Sequence, residues 1–244
     1  MLGVYLAPNG NNKLQVQKLK EKATKMTEYI RTGHIKKNEA WIALTTMAMK
    51  SVKYPLPELT LTEKECEEIM WILIKTFLPR TGINRNIKRD VLYGDLEVQG
   101  LGIKSLYLTQ GLSHIADIIE HTWKQTITGH LIKVCLENLR IELGCNIPIL
   151  ESKYEDYDEI IMTESWIQST WLFMSGNSIK LKDNTPFIPL GREEDKILME
   201  HFMLQGYKGI ELRNINCCRL YLKVITLADI TSGDGETITR KHGM

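Results

Sequence analysis

Apolar side chains recur at steps of three and four through most of this chain, the spacing that gathers them on one face of an α-helix. Between Lys13 and Arg31 they are Val16, Leu19, Ala23, Met26 and Ile30, a narrow seam that Gly33 and His34 end. From Asn38 to Val52 the inward set is Trp41, Leu44, Ala48 and Val52, and Tyr54-Pro55-Leu56-Pro57 stops the helix. Thr62 and Glu65 form a capping box that opens a third helix to about Leu78, with Cys66, Ile69, Leu73 and Phe77 on one face. Pro79 to Arg89 is a basic loop. In the stretch Val91 to Trp123, Gly100-Leu101-Gly102 turns the chain into a helix with Leu108, Leu112, Ile115, Ile119 and Trp123 in step. Leu19, Met26, Leu44, Leu73, Leu112 and Ile115 are the expected core.

The second half follows the same rule. Thr128 caps a helix to Leu143, with Leu131, Cys135, Leu139 and Leu143 in step and Gly144 ending it. Tyr157 to Met174 is expected to be helical, with an acidic start that suits a helix N-terminus. Ile179 to Lys182 reads as a short strand before the turn Asp183 to Pro186. Arg192 to Gln205 and Ile210 to Leu227 complete the helices. At the other end, Leu2 to Leu6 reads as a short strand, and Pro8 to Asn12 as a turn. The expected class is mainly α: a helical bundle after a short N-terminal strand, then a second helical segment. The expected divisions are 1–12, 13–125 and 126–244.

Charge changes this picture. The net charge of +1 over 244 residues hides an asymmetry: residues 1–140 hold 20 Lys and Arg against 14 Asp and Glu, whereas residues 141–244 hold 11 against 16. A basic front half points to a polyanion. Its centre is the first helix, where Lys18, Lys22 and Lys25 share a face, with Lys13, Lys20 and Arg31 on the flanks. Lys36 and Lys37 follow it, and Arg85 lies in the basic loop. No apolar run approaches a membrane span and no secretory leader is evident, so the expectation is an intracellular protein without a membrane partner. The five cysteines include no Cys-x-x-Cys pair, so neither a disulfide framework nor a zinc site is expected. Adjacent Cys217 and Cys218 read as structural, and His114 and His121 as polar helix-face residues.

Several blocks, in this order, carry a resemblance. Leu2-Gly3-Val4 followed by Pro8-Asn9-Gly10 resembles the segment closing the palm of non-LTR (LINE-type) retrotransposon reverse transcriptases, beside the primer grip. The three helices from Lys13 to Leu78 look like the thumb that follows. Gln99-Gly100-Leu101-Gly102-Ile103-Lys104-Ser105-Leu106 is similar to the Gly-rich motif just after that thumb, with Gln99 in place of a Gly and Lys104-Ser105 in place of a small or Pro pair. The resemblance covers about residues 1–125.

It implies a C-terminal part of an RNA-directed DNA polymerase that grips a primer–template duplex of RNA and DNA. Lys13, Lys18, Lys22, Lys25, Arg31, Lys36, Lys37 and Arg85 would contact phosphates, and Leu2 and Gly3 would lie at the primer grip. Gly100 and Gly102 would form the structural turn. The remainder of the polymerase chain, its fingers and palm, would be the partner. The family's Tyr-x-Asp-Asp carboxylates, which bind two Mg²⁺ ions, are absent; Tyr154 to Asp158 is only superficially similar and lies downstream of the thumb-like blocks. The chain is therefore expected to hold no cofactor and to be inactive alone. The alternative is a helical protein-interaction module without nucleic-acid binding.

Overall fold

The computed structural model describes all residues except 1–3, 6, 8, 9, 123, 183–187, 234–236 and 239–244. It is mainly helical, and among the described residues the only β-pairing is two isolated bridges, Ile197 with Thr226 and Thr231 with Ile238. The expected N-terminal strand is not seen: Val4 and Tyr5 are not in a strand, and Leu2, Gly3 and Leu6 lie outside the described residues. The chain forms two compact units, 1–117 and 118–244.

In the first unit, α1 (Lys13–Thr32) packs along α4 (Glu63–Thr81). The seam of α1 is buried at Val16, Leu19, Ala23 and Ile30, with Met26 only half-buried. It meets Cys66, Ile69, Leu73 and Phe77 of α4 in one core. Thr62 caps α4 as its spacing predicts: its hydroxyl accepts from the Glu65 N–H, and the Glu65 carboxylate accepts from the Thr62 N–H. The helix runs past the expected end at Leu78, through Pro79, to Thr81. A proline in the last turn forfeits one backbone hydrogen bond, and Gly82, at φ +85°, then ends the helix in the left-handed conformation. The basic loop is correspondingly shorter.

Between these helices run α2 (Lys37–Ile42), a π-helical segment (Ala43–Ala48) and α3 (Met49–Lys53), forming one continuous rod. The π segment bonds residue i to i+5, and two hydroxyls bond back onto the preceding turn. The Thr45 hydroxyl donates to the Trp41 carbonyl (3.0 Å) and that of Thr46 to Ile42 (2.6 Å). Leu44, Ala48 and Val52 are buried; Trp41 is half-buried.

After α5 (Arg89–Tyr93), the glycine turn is bound back onto the preceding chain. The N–H groups of Leu101, Gly102 and Ile103 donate to the carbonyls of Val91, Gly94 and Leu92. Gly100 passes so close to Gly94 that an added Cβ would overlap its carbonyl oxygen, and Gly102 has φ +65°. The turn feeds α6 (Leu106–His121), but its inward face is not the expected one. Leu106, Gln110, His114, Ile115 and Ile118 are buried, while Leu108, Leu112 and Ile119 are exposed; Trp123 lies outside the described residues. Two polar residues decide the rotation. Gln110 inserts its amide into the core, accepting from the Leu61 N–H (3.1 Å) and donating to the Leu61 carbonyl (3.0 Å). His114 is buried beside the 56–59 segment, so it is not a helix-face histidine.

In the second unit, α7 (Ile127–Leu143) is capped by Thr126, not Thr128. Its buried positions are Ile132, Leu136, Leu139 and Leu143, and the expected Leu131 and Cys135 are exposed. Gly144 ends it at φ +63°, as expected. The helix expected from Tyr157 begins only at α8 (Trp166–Gly176), because the Ser165–Gln168 capping box sets its start. The acidic stretch before it forms two 3₁₀ turns, Tyr154–Asp156 and Asp158–Ile160. Ile179 to Lys182 is not a strand, and residues 183–187 lie outside the described residues. The helix expected from Arg192 is shortened to α9 (Leu198–Leu204). Here the Asp195 carboxylate accepts from the N–H groups of Gly191, Lys196 and Ala228, a local alternative to helix. The last helix, α10 (Gly209–Leu222), ends at Lys223, whose φ is +57°.

Arg219 of α10 is buried and donates to the carbonyls of Ile141 and Glu142, both 2.7 Å away. These are orphan acceptors at the end of α7, where a cation also suits the helix dipole. Asn216 donates to the carbonyls of Glu142 and Ile160 and accepts from Arg219 Nε. A polar pair thus ties α10 to the end of α7.

Candidate nucleic-acid interface

The burial of the α1 seam turns its lysines outward. Lys13, Lys18, Lys22 and Lys25 are all exposed. Lys18 pairs with Glu21 at 2.9 Å between two exposed side chains, and the Lys22 ammonium donates to the Ser51 carbonyl at 3.2 Å. Both are surface contacts between water-accessible groups, the kind a phosphate readily replaces. The Glu21 hydrogen bond and charge hold the Lys18 ammonium above its ordinary pKa, so it stays protonated. Lys20 is bound to Glu68 of α4 at 2.6 Å.

The remaining cations separate. Lys13, Lys20 and Lys25 line a shallow groove against α4 that also holds Glu21 and Glu65. Arg31 and Arg85 line another, with Lys75 and Arg80 of α4. The Arg80 guanidinium donates to the Arg31 carbonyl at the end of α1. Lys36 is the N-cap residue of α2, and Lys37 extends over Gly82. Leu2 and Gly3 lie outside the described residues.

The second groove is completed by residues that the apolar pattern does not single out. Trp71 of α4 is 40% exposed, although Met70, Leu73 and Ile74 around it are buried. Arg89 lies over its indole at 5.7 Å, a cation–π contact, and pairs with Glu67 at 3.2 Å. Glu67 also accepts from the Tyr93 hydroxyl at 2.6 Å, and burial, with that bond, pushes the Tyr93 pKa up. Glu67 and Trp71 stand one turn apart on α4, and that spacing was the available signal.

The other candidate residues divide by burial. Cys66 and Cys145 are buried, and burial pushes each thiol up to about 12. Cys217 and Cys218, expected to be structural, are instead exposed on α10, and no group of three or more His, Cys, Asp or Glu suited to a metal occurs among the described residues. Glu155 accepts from the Ser175 hydroxyl, which holds its carboxyl below the usual range. No helix among the described residues is long and apolar enough to cross a membrane. Comparison with protein-family models, with curated proteins and with solved structures gave no match.

Proposed function

We propose that this chain is the thumb and C-terminal extension of a non-LTR retrotransposon reverse transcriptase, and that it grips a primer–template duplex. The observation that carries the reading is α1. Its apolar seam faces α4 and leaves Lys13, Lys18, Lys22 and Lys25 exposed on a helix with only two carboxylates, Glu21 and Glu28. Contacts from such a helix to phosphates set position and carry no sequence information. The order of the sequence blocks and the basic front half support the same reading. The palm carboxylates and their Mg²⁺ ions belong to the rest of the polymerase chain, which is the proposed protein partner.

A second reading, a helical protein-interaction module, draws on Leu108 and Leu112, apolar residues exposed on α6. Titration of a labelled RNA–DNA hybrid with the chain separates the two. Binding that is similar across unrelated sequences and weakens in Lys18→Gln/Lys22→Gln/Lys25→Gln supports the grip. A folded chain whose hybrid binding does not respond to the triple substitution contradicts it.

A further inference from the structure

We propose that the groove between α1 and α4 at Trp71 is a separate site for single-stranded nucleic acid. This assignment goes beyond the duplex grip and rests on different residues. The groove encloses about 550 Å³, within the range of clefts that hold small ligands. Arg31, Lys75, Arg80 and Arg85 reach it from three segments: α1, α4 and the loop after α4. Among the described residues that line it there is no Asp or Glu, and none of the four cations is in an ion pair with a described residue. The neighbouring groove at Lys13 and Lys20 holds two glutamates. The first groove therefore carries positive charge that no lining carboxylate offsets, whereas Glu21 and Glu65 offset part of the charge in the second.

The indole decides which anion. A duplex presents phosphates with its bases stacked inside, and needs only cations. A single strand presents phosphates and bare base faces together, and its binders combine a cationic track with an aromatic platform. Trp71, 40% exposed beside those cations, supplies that platform on the part of its indole that Arg89 leaves uncovered. An acidic peptide would match the charge but has no use for the indole. Arg89 is engaged with Glu67 and the ring itself, so it orients the indole and leaves the other four cations to the phosphates.

The experiment is fluorescence anisotropy of labelled oligo(dT) with the full chain, with a hairpin DNA duplex and poly-glutamate as competitors. Arg80 is left intact because it also holds the end of α1. Lys75→Gln/Arg85→Gln, at two exposed positions, is expected to weaken oligo(dT) binding and flatten its log–log salt slope by about 1.4, at about 0.7 per phosphate contact. Trp71→Ala is expected to weaken it about 5- to 150-fold, with Trp71→Phe retaining most of the affinity. Lys18→Gln/Lys22→Gln/Lys25→Gln is expected to weaken duplex binding more than oligo(dT) binding, and Trp71→Ala the reverse, which separates failure of this site from failure of the duplex grip. Three results overturn the proposal: no binding of oligo(dT), full affinity in Trp71→Ala, or displacement by poly-glutamate or the hairpin as readily as by unlabelled oligo(dT).

Discussion

His114 shows how one buried side chain ties fold to conditions. Burial pushes its pKa down from 6.5 to about 4, against the opposing pull of the Leu56, Leu59 and Pro57 peptide groups. The unfolded chain therefore takes up a proton near pH 6.5 that the folded chain accepts only near pH 4. This contribution to stability is intact above pH 7 and is lost as pH falls through that window, by on the order of 3 kcal/mol. Urea unfolding of wild type and His114→Gln at pH 7 and pH 4 measures it. The variant is expected to gain relative to wild type by about that amount at the lower pH, and a gap independent of pH would contradict the burial. Gly100 makes a steric case at the same scale. Its missing Cβ leaves room for the Gly94 carbonyl, so Gly100→Ala must move backbone. It is expected to cost more than Gly102→Ala, where the left-handed φ alone costs about 1 kcal/mol. Thermal melts of the two variants rank them, and equal losses would mean that the turn relaxes.

At the scale of elements, the exchange of inward faces on α6 and α7 is the main lesson. Leu73→Ala, in the middle of α4 and fully buried, is expected to cost about 2–5 kcal/mol in denaturant unfolding. Leu112→Ala, at an exposed position, is expected to change stability by less than about 0.5 kcal/mol. A large loss at Leu112 would restore the face that periodicity predicted. Helices α1 and α4 were legible because their seams are apolar and their ends are marked, by Gly33 and by the Thr62–Glu65 box. The inward face of α6 was not, because Gln110 and His114 are polar by type and buried by partner. Periodicity counts apolar letters, and those two positions carry none. The cap of α7 was misplaced by two residues for a related reason: Thr126 and Thr128 are equal as letters, and only the Gly129 N–H distinguishes them. On α10, Asn216 and Arg219 are polar by type, and their burial follows from the carbonyls at the end of α7 that they bond. The cations were legible as basic residues, but which of them share a groove, Lys13 with Lys20 and Lys25 or Arg31 with Arg85, depends on side chains from α4. Trp71 is a single exposed aromatic on a core helix, so apolar periodicity does not mark it, and only its place one turn after Glu67 does.

At the scale of the whole molecule, the proposed function has a basic helix, held by its apolar seam, present lysines to a duplex. The isolated chain is expected to give no product in primer extension with Mg²⁺ or Mn²⁺, since the proposed reading places the catalytic carboxylates elsewhere; metal-dependent extension would show that Glu155 to Asp158 had been misread. The central claim is tested most directly by the salt dependence of duplex binding. On a logarithmic plot of affinity against salt, each phosphate contact contributes a slope of about −0.9 on B-DNA. If Lys18, Lys22 and Lys25 make these contacts, Lys18→Gln/Lys22→Gln/Lys25→Gln flattens the slope by roughly two to three units, alike on every sequence. A triple variant that is folded by circular dichroism and keeps the wild-type slope would contradict the account.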